Sequence, residues 1–219
     1  MTRILICTNR NNFIPFNETN AYDRTLFNSG NHVFEFSLQK TTLSNKHLID
    51  FKTIEWTRTH PIEINQKYDL CLHSPANILG SWAKQELKAW EKCLKEIKIP
   101  FHFIGVGAQS KKYTTDKLAS KIKKEGYAFI RSILNTGGNI GVRGYYTAEV
   151  IKNLGFSKND FHILGCPSFF MNGPDIRIDK RNIQELKPIF NGNKFWFNSD
   201  FHHYFEDHPE GIFICQDKL

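Results

Sequence analysis

Five short apolar runs, each followed by a turn or a helical stretch, constrain this chain most. They are RILICT at 3–8, YDLCL at 68–72, FHFIGV at 101–106, IGVR at 140–143 and FHIL at 161–164. Continuous apolarity, as opposed to alternation, marks strands covered on both faces, as in a parallel sheet. Residues 82–97 place Leu87, Trp90, Leu94 and Ile97 on one helical face, and Pro100 stops that helix. A second helix is predicted over 115–133, opened by Thr114 or Thr115, and a third over 145–154, closed by Gly155. Strand and helix in alternation predict an α/β fold, a doubly wound Rossmann-like parallel sheet with right-handed connections. Fainter patterns predict a helix from about Asn20, with Tyr22, Leu26 and Phe27 inward, and strands at 33–38 and 51–56. Tyr22, Trp82 and Trp90 are expected in the core or at its rim. The NGPD turn at 172–175 divides a domain over 1–172 from a linker and incomplete second domain over 173–219. The latter holds strand candidates at 194–197 and 211–215 and is too short to stand alone.

The chain is 40% hydrophobic and 23% charged, as expected of a globular protein. A net charge of +7 suits an anionic ligand or an anionic membrane surface. Nucleic acid is not favoured, because the lysines are scattered and no nucleic-acid motif occurs. Five widely spaced cysteines (Cys7, Cys71, Cys93, Cys166, Cys215) without a CxxC pair argue for reduced thiols and against a disulfide framework or a zinc site. The apolar run ending at Asn9 is too short for a signal peptide or a membrane span. These features together predict a cytoplasmic protein, able to lie against the inner face of a membrane.

Four strand ends carry candidate chemistry. GVGAQS at 105–110 lies between a strand and a helix, where glycines admit a ligand close to the backbone; a plain tight turn is the competing reading. Gln109 and Ser110 could hydrogen-bond a sugar or a carboxylate. Arg143 stands between a strand and a helix, so its guanidinium and the helix dipole both suit phosphate or carboxylate. An arginine capping loop carbonyls or pairing with an acid is the alternative. Thr147 and Glu149 read as stabilisers of the first helical turn. In CPS at 166–168, Cys166 reads as an inert thiol and Ser168 as a donor to a ligand. His73, Ser74 and Pro75 occupy the equivalent place after residues 68–72, and their polar groups are expected in the same crevice. Asp200, His202, His203, Glu206, Asp207 and His208 read as a solvated loop, since no HExxH spacing occurs among them.

Taken in order, the strand into GVGAQ, the helix, IGVRGYYTAEVIKNLG at 140–155 and ILGCPSFF at 163–170 resemble the polysaccharide pyruvyl transferase family. The strand ending DLCL at 69–72 is similar to that family's preceding strand, without its paired glycines. Asn17, Asn20 and Asp23 stand where the family carries an Asn-x-Gly-Asp type motif. The resemblance implies the N-terminal half of a GT-B-like fold, with most of the C-terminal domain absent. It implies transfer of pyruvate from phosphoenolpyruvate to a sugar or lipid-linked saccharide of a surface polysaccharide, such as capsule or lipopolysaccharide, as a ketal. No cofactor is implied; phosphoenolpyruvate is the donor substrate. Arg143 would contact it, with Gly105, Gly107 and Gln109 lining the cleft and Ser168 beside it. A truncated or inactive chain, and a partner chain supplying the second domain, are also expectations of this resemblance. Two other readings stay open: a GT-B glycosyltransferase with a nucleotide-sugar donor, and a non-enzymatic subunit of a split enzyme.

Overall fold

A computed structural model describes residues 1–8, 30–42, 46–110, 114–171, 189–192 and 212–215. The described residues fall into two compact units, one within Met1–Ile14 and Val33–Pro174, the other within Pro15–His32 and Asp175–Leu219.

The first unit is built on six parallel strands: β1 (Thr2–Thr8), β2 (His47–Thr53), β3 (Leu70–His73), β4 (Phe101–Val106), β5 (Ile140–Val142) and β6 (His162–Ile163). Their spatial order is β2-β1-β3-β4-β5-β6. The chain steps outward from β1 to β2, then returns across β1 and continues in the other direction. Because every pairing is parallel, the carboxyl ends of all six strands lie along one edge, where open α/β sheets bind ligands. The helices are α1 (Gly30–Thr42), α2 (Ile54–Thr59), α3 (Pro61–Lys67), α4 (Lys84–Leu94), α5 (Thr115–Lys121), α6 (Lys123–Asn135) and α7 (Tyr145–Asn153).

Side chains alternate across the sheet, so β1, β3 and β4 each serve two cores. On one face, Leu5, Cys71, Phe101, Phe103, Ile140 and Val142 pack beneath residues of α3 to α7, among them Ile64, Leu87, Trp90, Phe129 and Ile151. At its centre the Trp90 ring stands edge-on to Phe101 and Phe103, at centroid distances of 5.5 and 5.2 Å, and Phe129 stands edge-on to Phe103 at 5.1 Å. On the other face, Ile4, Ile6 and Leu72 pack against Leu38 of α1. The fold is the predicted α/β sheet with helices on both sides. No helix among the described residues is long and apolar enough to cross a membrane.

Several elements differ from the sequence reading. Residues 33–38 lie in helix α1, not in a strand. The hydroxyls of Ser37 and Thr41 donate to the Val33 and Ser37 carbonyls four residues back, at 2.6 and 2.9 Å, a local arrangement open to a helix alone. A strand would have buried Phe34, Phe36 and Leu38 together, whereas Phe36 is exposed and Leu38 buried. The strand expected at 51–56 starts earlier, at His47, and stops at Thr53, whose side chain accepts the Trp56 amide at 3.1 Å and so caps α2. The helix expected over 115–133 is two helices, broken at Ile122 (φ −109°, ψ 13°). The break has a packing reason: α5 lies on α7 while α6 lies on α4, and one straight rod could not meet both. Trp82 is 59% exposed and lies across Gly80, outside the core; Trp90 is fully buried. The helix expected from Asn20 lies outside the described residues.

In the second unit, β7 (Ile189–Gly192) and β8 (Ile212–Cys215) pair in parallel. Strand β8 was foreseen at 211–215 and β7 was not. The candidates at 194–197 and at 200–208 lie outside the described residues.

Candidate functional site

The carboxyl ends of β3, β4, β5 and β6 meet at one point. Strand β4 is irregular there: its register against β5 shifts between Ile104 and Val106, and Gly105 at the shift has φ +77°. This bulge turns Val106 to the same face as Phe103 and aims the Gly105 carbonyl sideways. A Cβ at Gly105 would lie 2.5 Å from Cδ of Pro167 and 3.4 Å from Oγ of Ser74, so only glycine lets the β3 and β6 loops close on this turn. The β3 loop reverses at Ala76 (φ 57°) and is stitched to the GVGAQ turn. Gly107 N–H donates to Ala76 O at 2.8 Å, Leu79 N–H to Gly107 O at 3.0 Å, and Gln109 N–H to Leu79 O at 3.1 Å.

Arg143 leaves the end of β5 and reaches back over this turn. Its Nε donates to Gly105 O at 2.8 Å, and its Nη1 donates to Asn77 Oδ1 at 3.3 Å. The Phe34 ring of α1 covers the guanidinium at 4.5 Å. Nη2 is buried and has no partner. Among the described residues, no carboxylate pairs with Arg143. Burial pulls its pKa down, the nearby Cys166 thiol acting the other way, yet an arginine stays charged at any ordinary pH. Arg143 thus caps a carbonyl at the end of β4, close to the capping role that one reading held, and among the described residues no carboxylate balances its charge. Beside it, the buried hydroxyl of Ser74 is also without a partner. Buried donors of this kind can take an acceptor from a water, an ion or a ligand.

The remaining candidates divide. Gln109 joins the site through Asn77, whose Nδ2 donates to Gln109 Oε1 at 3.0 Å. Gly107 abuts Asn77, since a Cβ there would lie 2.1 Å from Oδ1. Ser168 follows Pro167 at the same edge, but its hydroxyl donates to the Cys166 thiol at 3.0 Å. Thr147 does more than steady its helix turn: it is buried, and its Oγ1 accepts Ala108 N–H at 3.0 Å, tying α7 to the glycine turn. Glu149 pairs with Lys152 on the surface. Ser110 is engaged in an interaction of its own.

His73 does not face the crevice. Its side chain turns into the core between Trp90 and Phe103, with ring centroids at 5.0 and 5.4 Å. Nδ1 lies 3.2 Å from Cys7 O, an acceptor, so the proton sits on Nδ1. Burial drives its pKa down to about 3, which leaves it neutral and unable to supply a proton near pH 7. Cys7, Cys71 and Cys93 are free and buried, and burial pushes their thiols up, Cys7 and Cys93 to about 12. They are not nucleophiles. Among the described residues no cluster of ligands could hold a metal ion.

Asn77 escaped the sequence reading. Its only signal was a turn-rich HSPANILGS stretch, and its partners lie 32 and 66 residues away.

Comparison with curated proteins and with solved structures gives no match. The polysaccharide pyruvyl transferase family model matches residues 10–210, nearly the whole chain. With the sheet, the glycine turn and Arg143 in the places that the motifs anticipated, the chain belongs to the polysaccharide pyruvyl transferase family.

Proposed function

We propose that this chain transfers pyruvate from phosphoenolpyruvate to a saccharide of a surface polysaccharide, as a cyclic ketal. The observation that carries the reading is the Arg143 guanidinium, held at Nε and Nη1 with Nη2 buried and unpartnered. Phosphoenolpyruvate offers a phosphate and a carboxylate, whose oxygens accept hydrogen bonds from a guanidinium fork.

The chemistry assigns that contact a role. A proton adds to the methylene carbon, and a sugar hydroxyl attacks the central carbon, whose bond to the phosphate oxygen breaks. A second hydroxyl closes the ring, so that one diol and one donor become one ketal and one phosphate. Charge develops on the departing phosphate, and a fixed cation there lowers the barrier. The Gly105–Gly107 turn is filled by Pro167 and Asn77 and serves to set Arg143, and Gln109 and Ser168 are proposed as hydrogen-bonding groups toward carboxylate or sugar. The acceptor is a lipid-linked or nucleotide-linked sugar, and the net charge of +7 would favour contact with an anionic membrane face.

The test is phosphate release from phosphoenolpyruvate with lipid-linked and nucleotide-linked sugars, together with the ketal methyl signal in proton NMR. Phosphate and ketal appearing in equal amounts is the expected result. No turnover and no thermal stabilisation by phosphoenolpyruvate would overturn the reading; stabilisation by a nucleoside diphosphate instead would favour a nucleotide-sugar glycosyltransferase.

A further inference from the structure

We infer that Asn77 is a positioning residue, which fixes the plane of the Arg143 guanidinium and thereby aims its free edge at the donor. The inference rests on the reading of Arg143 as a donor contact and adds to it the residue that sets its orientation. A guanidinium bonded through Nε alone can still swing about that bond. The second bond, from Nη1 to Asn77 Oδ1, removes that freedom, and Phe34 closes one face, so that Nη2 is the edge left over.

Asn77 is itself fixed. A carboxamide has one acceptor end and one donor end. Here the oxygen meets the cation and the Nδ2 donates to Gln109 at 3.0 Å, so each partner selects the same orientation. Gly107 makes the room: any Cβ at that position would overlap Oδ1 of Asn77 at 2.1 Å. One exposed side chain therefore couples the loops after β3, β4 and β5. Serine or alanine at 77 could not span both partners. Aspartate could hold Arg143, but it would lose the donor to Gln109 and place a negative charge beside the anion.

These differences define the experiment, done on the full chain with Asn77→Ala, Asn77→Asp and Gly107→Ala. Phosphoenolpyruvate affinity is read by calorimetry, and rotation of the Arg143 guanidinium by nitrogen-15 NMR. Asn77→Ala should weaken phosphoenolpyruvate binding about tenfold, the worth of one hydrogen bond to a charged group, with rotation accelerated and the melting temperature unchanged. Asn77→Asp should keep the rotation slow yet bind the donor more weakly than Asn77→Ala, because its carboxylate neutralises the cation. Gly107 is not at a positive φ, so alanine fits its backbone; its Cβ displaces the Asn77 carboxamide and comes within 3.3 Å of the Ala76 carbonyl oxygen. Gly107→Ala should match Asn77→Ala, and the double variant should be no worse than either. Unchanged affinity in Asn77→Ala, or losses that add in the double variant, would overturn the inference. Should the unaltered chain bind no phosphoenolpyruvate, the donor reading fails by itself, and unchanged rotation in Asn77→Ala would then sink the positioning role separately.

Discussion

Arg143 stands half-buried, and among the described residues no carboxylate balances it, an arrangement that costs stability until an anion arrives. Replacing it with alanine should therefore weaken phosphoenolpyruvate binding about 100-fold, by the usual loss for a buried charged contact, and abolish the thermal shift the donor produces. Lysine keeps the charge but not the fork, so Arg143→Lys should fall between the two, about tenfold weaker or more in the same calorimetric titration. Gly105 makes a separate prediction. Gly105 and Gly137 share a φ of +77°, but a Cβ at Gly105 strikes the Pro167 ring at 2.5 Å, while at Gly137 it meets nothing within 4 Å. Gly137→Ala should cost only the left-handed strain, about 1 kcal/mol. Gly105→Ala should cost that and the displacement of a rigid proline, about 2 kcal/mol or more. Urea unfolding of the two variants side by side checks the difference; equal losses would mean that the β6 loop yields freely.

Strand β2 passes into helix α2 with no loop between them, and Thr53 makes the junction by ending the one and capping the other. Thr53→Ala should lower stability by about 1 kcal/mol through loss of the cap, visible as a lowered urea midpoint with an unchanged slope. This junction also shows where sequence reading gave out. Strand β4 was placed residue for residue, because FHFIGV is apolar but for His102 and bounded by Pro100 and a glycine turn. Residues 51–56 carry Phe51, Ile54 and Trp56, a spacing that fits strand and helix alike, and only the Thr53 side chain decides between them. Helix α1 was misread for a related reason: VFEFSL alternates like a strand, yet its hydroxyls find their acceptors within a helix. Within the site, Arg143 and the glycine turn were legible because each follows directly from a strand-to-helix transition. Ser74 was expected at this crevice from its place after β3, but Asn77 was not, since what gives it meaning is the meeting of loops from separate strands. His73 failed in the opposite sense: it sits at the right strand end, but alternation along β3 turns it to the face of Cys71 and away from the crevice.

For the chain taken entire, that buried imidazole becomes a pH response. Unfolded, His73 titrates near the ordinary value of 6.5; folded, burial holds it to about 3, with the Cys7 carbonyl opposing the shift and Arg58 adding to it. Between these values the unfolded state binds a proton that the folded state refuses. Stability is therefore full above about pH 6.5 and falls as the pH drops toward 3, by as much as about 1.4 kcal/mol for each unit. His102, half-buried and accepting Asn139 N–H on Nδ1 at 3.1 Å, is shifted the same way and adds a shallower loss of the same sign. Asp69 and Asp160, held below the usual carboxylate range chiefly by hydrogen bonds from Arg3 and Ser157, add theirs only at lower pH. A second source of acid lability is the growing positive charge of a chain already at +7, which repels itself more strongly as carboxylates are neutralised. Salt separates the two. Raising the salt to about 1 M shrinks the screening length to about 3 Å and removes long-range repulsion, but it leaves the desolvation of a buried ring untouched. The urea midpoint of the unaltered chain should thus fall between pH 7 and pH 4 at either salt concentration, and His73→Leu should retain only the shallow part of that fall. If the variant keeps the full slope at high salt, the acid response of this fold lies elsewhere than in the imidazole between Trp90 and Phe103.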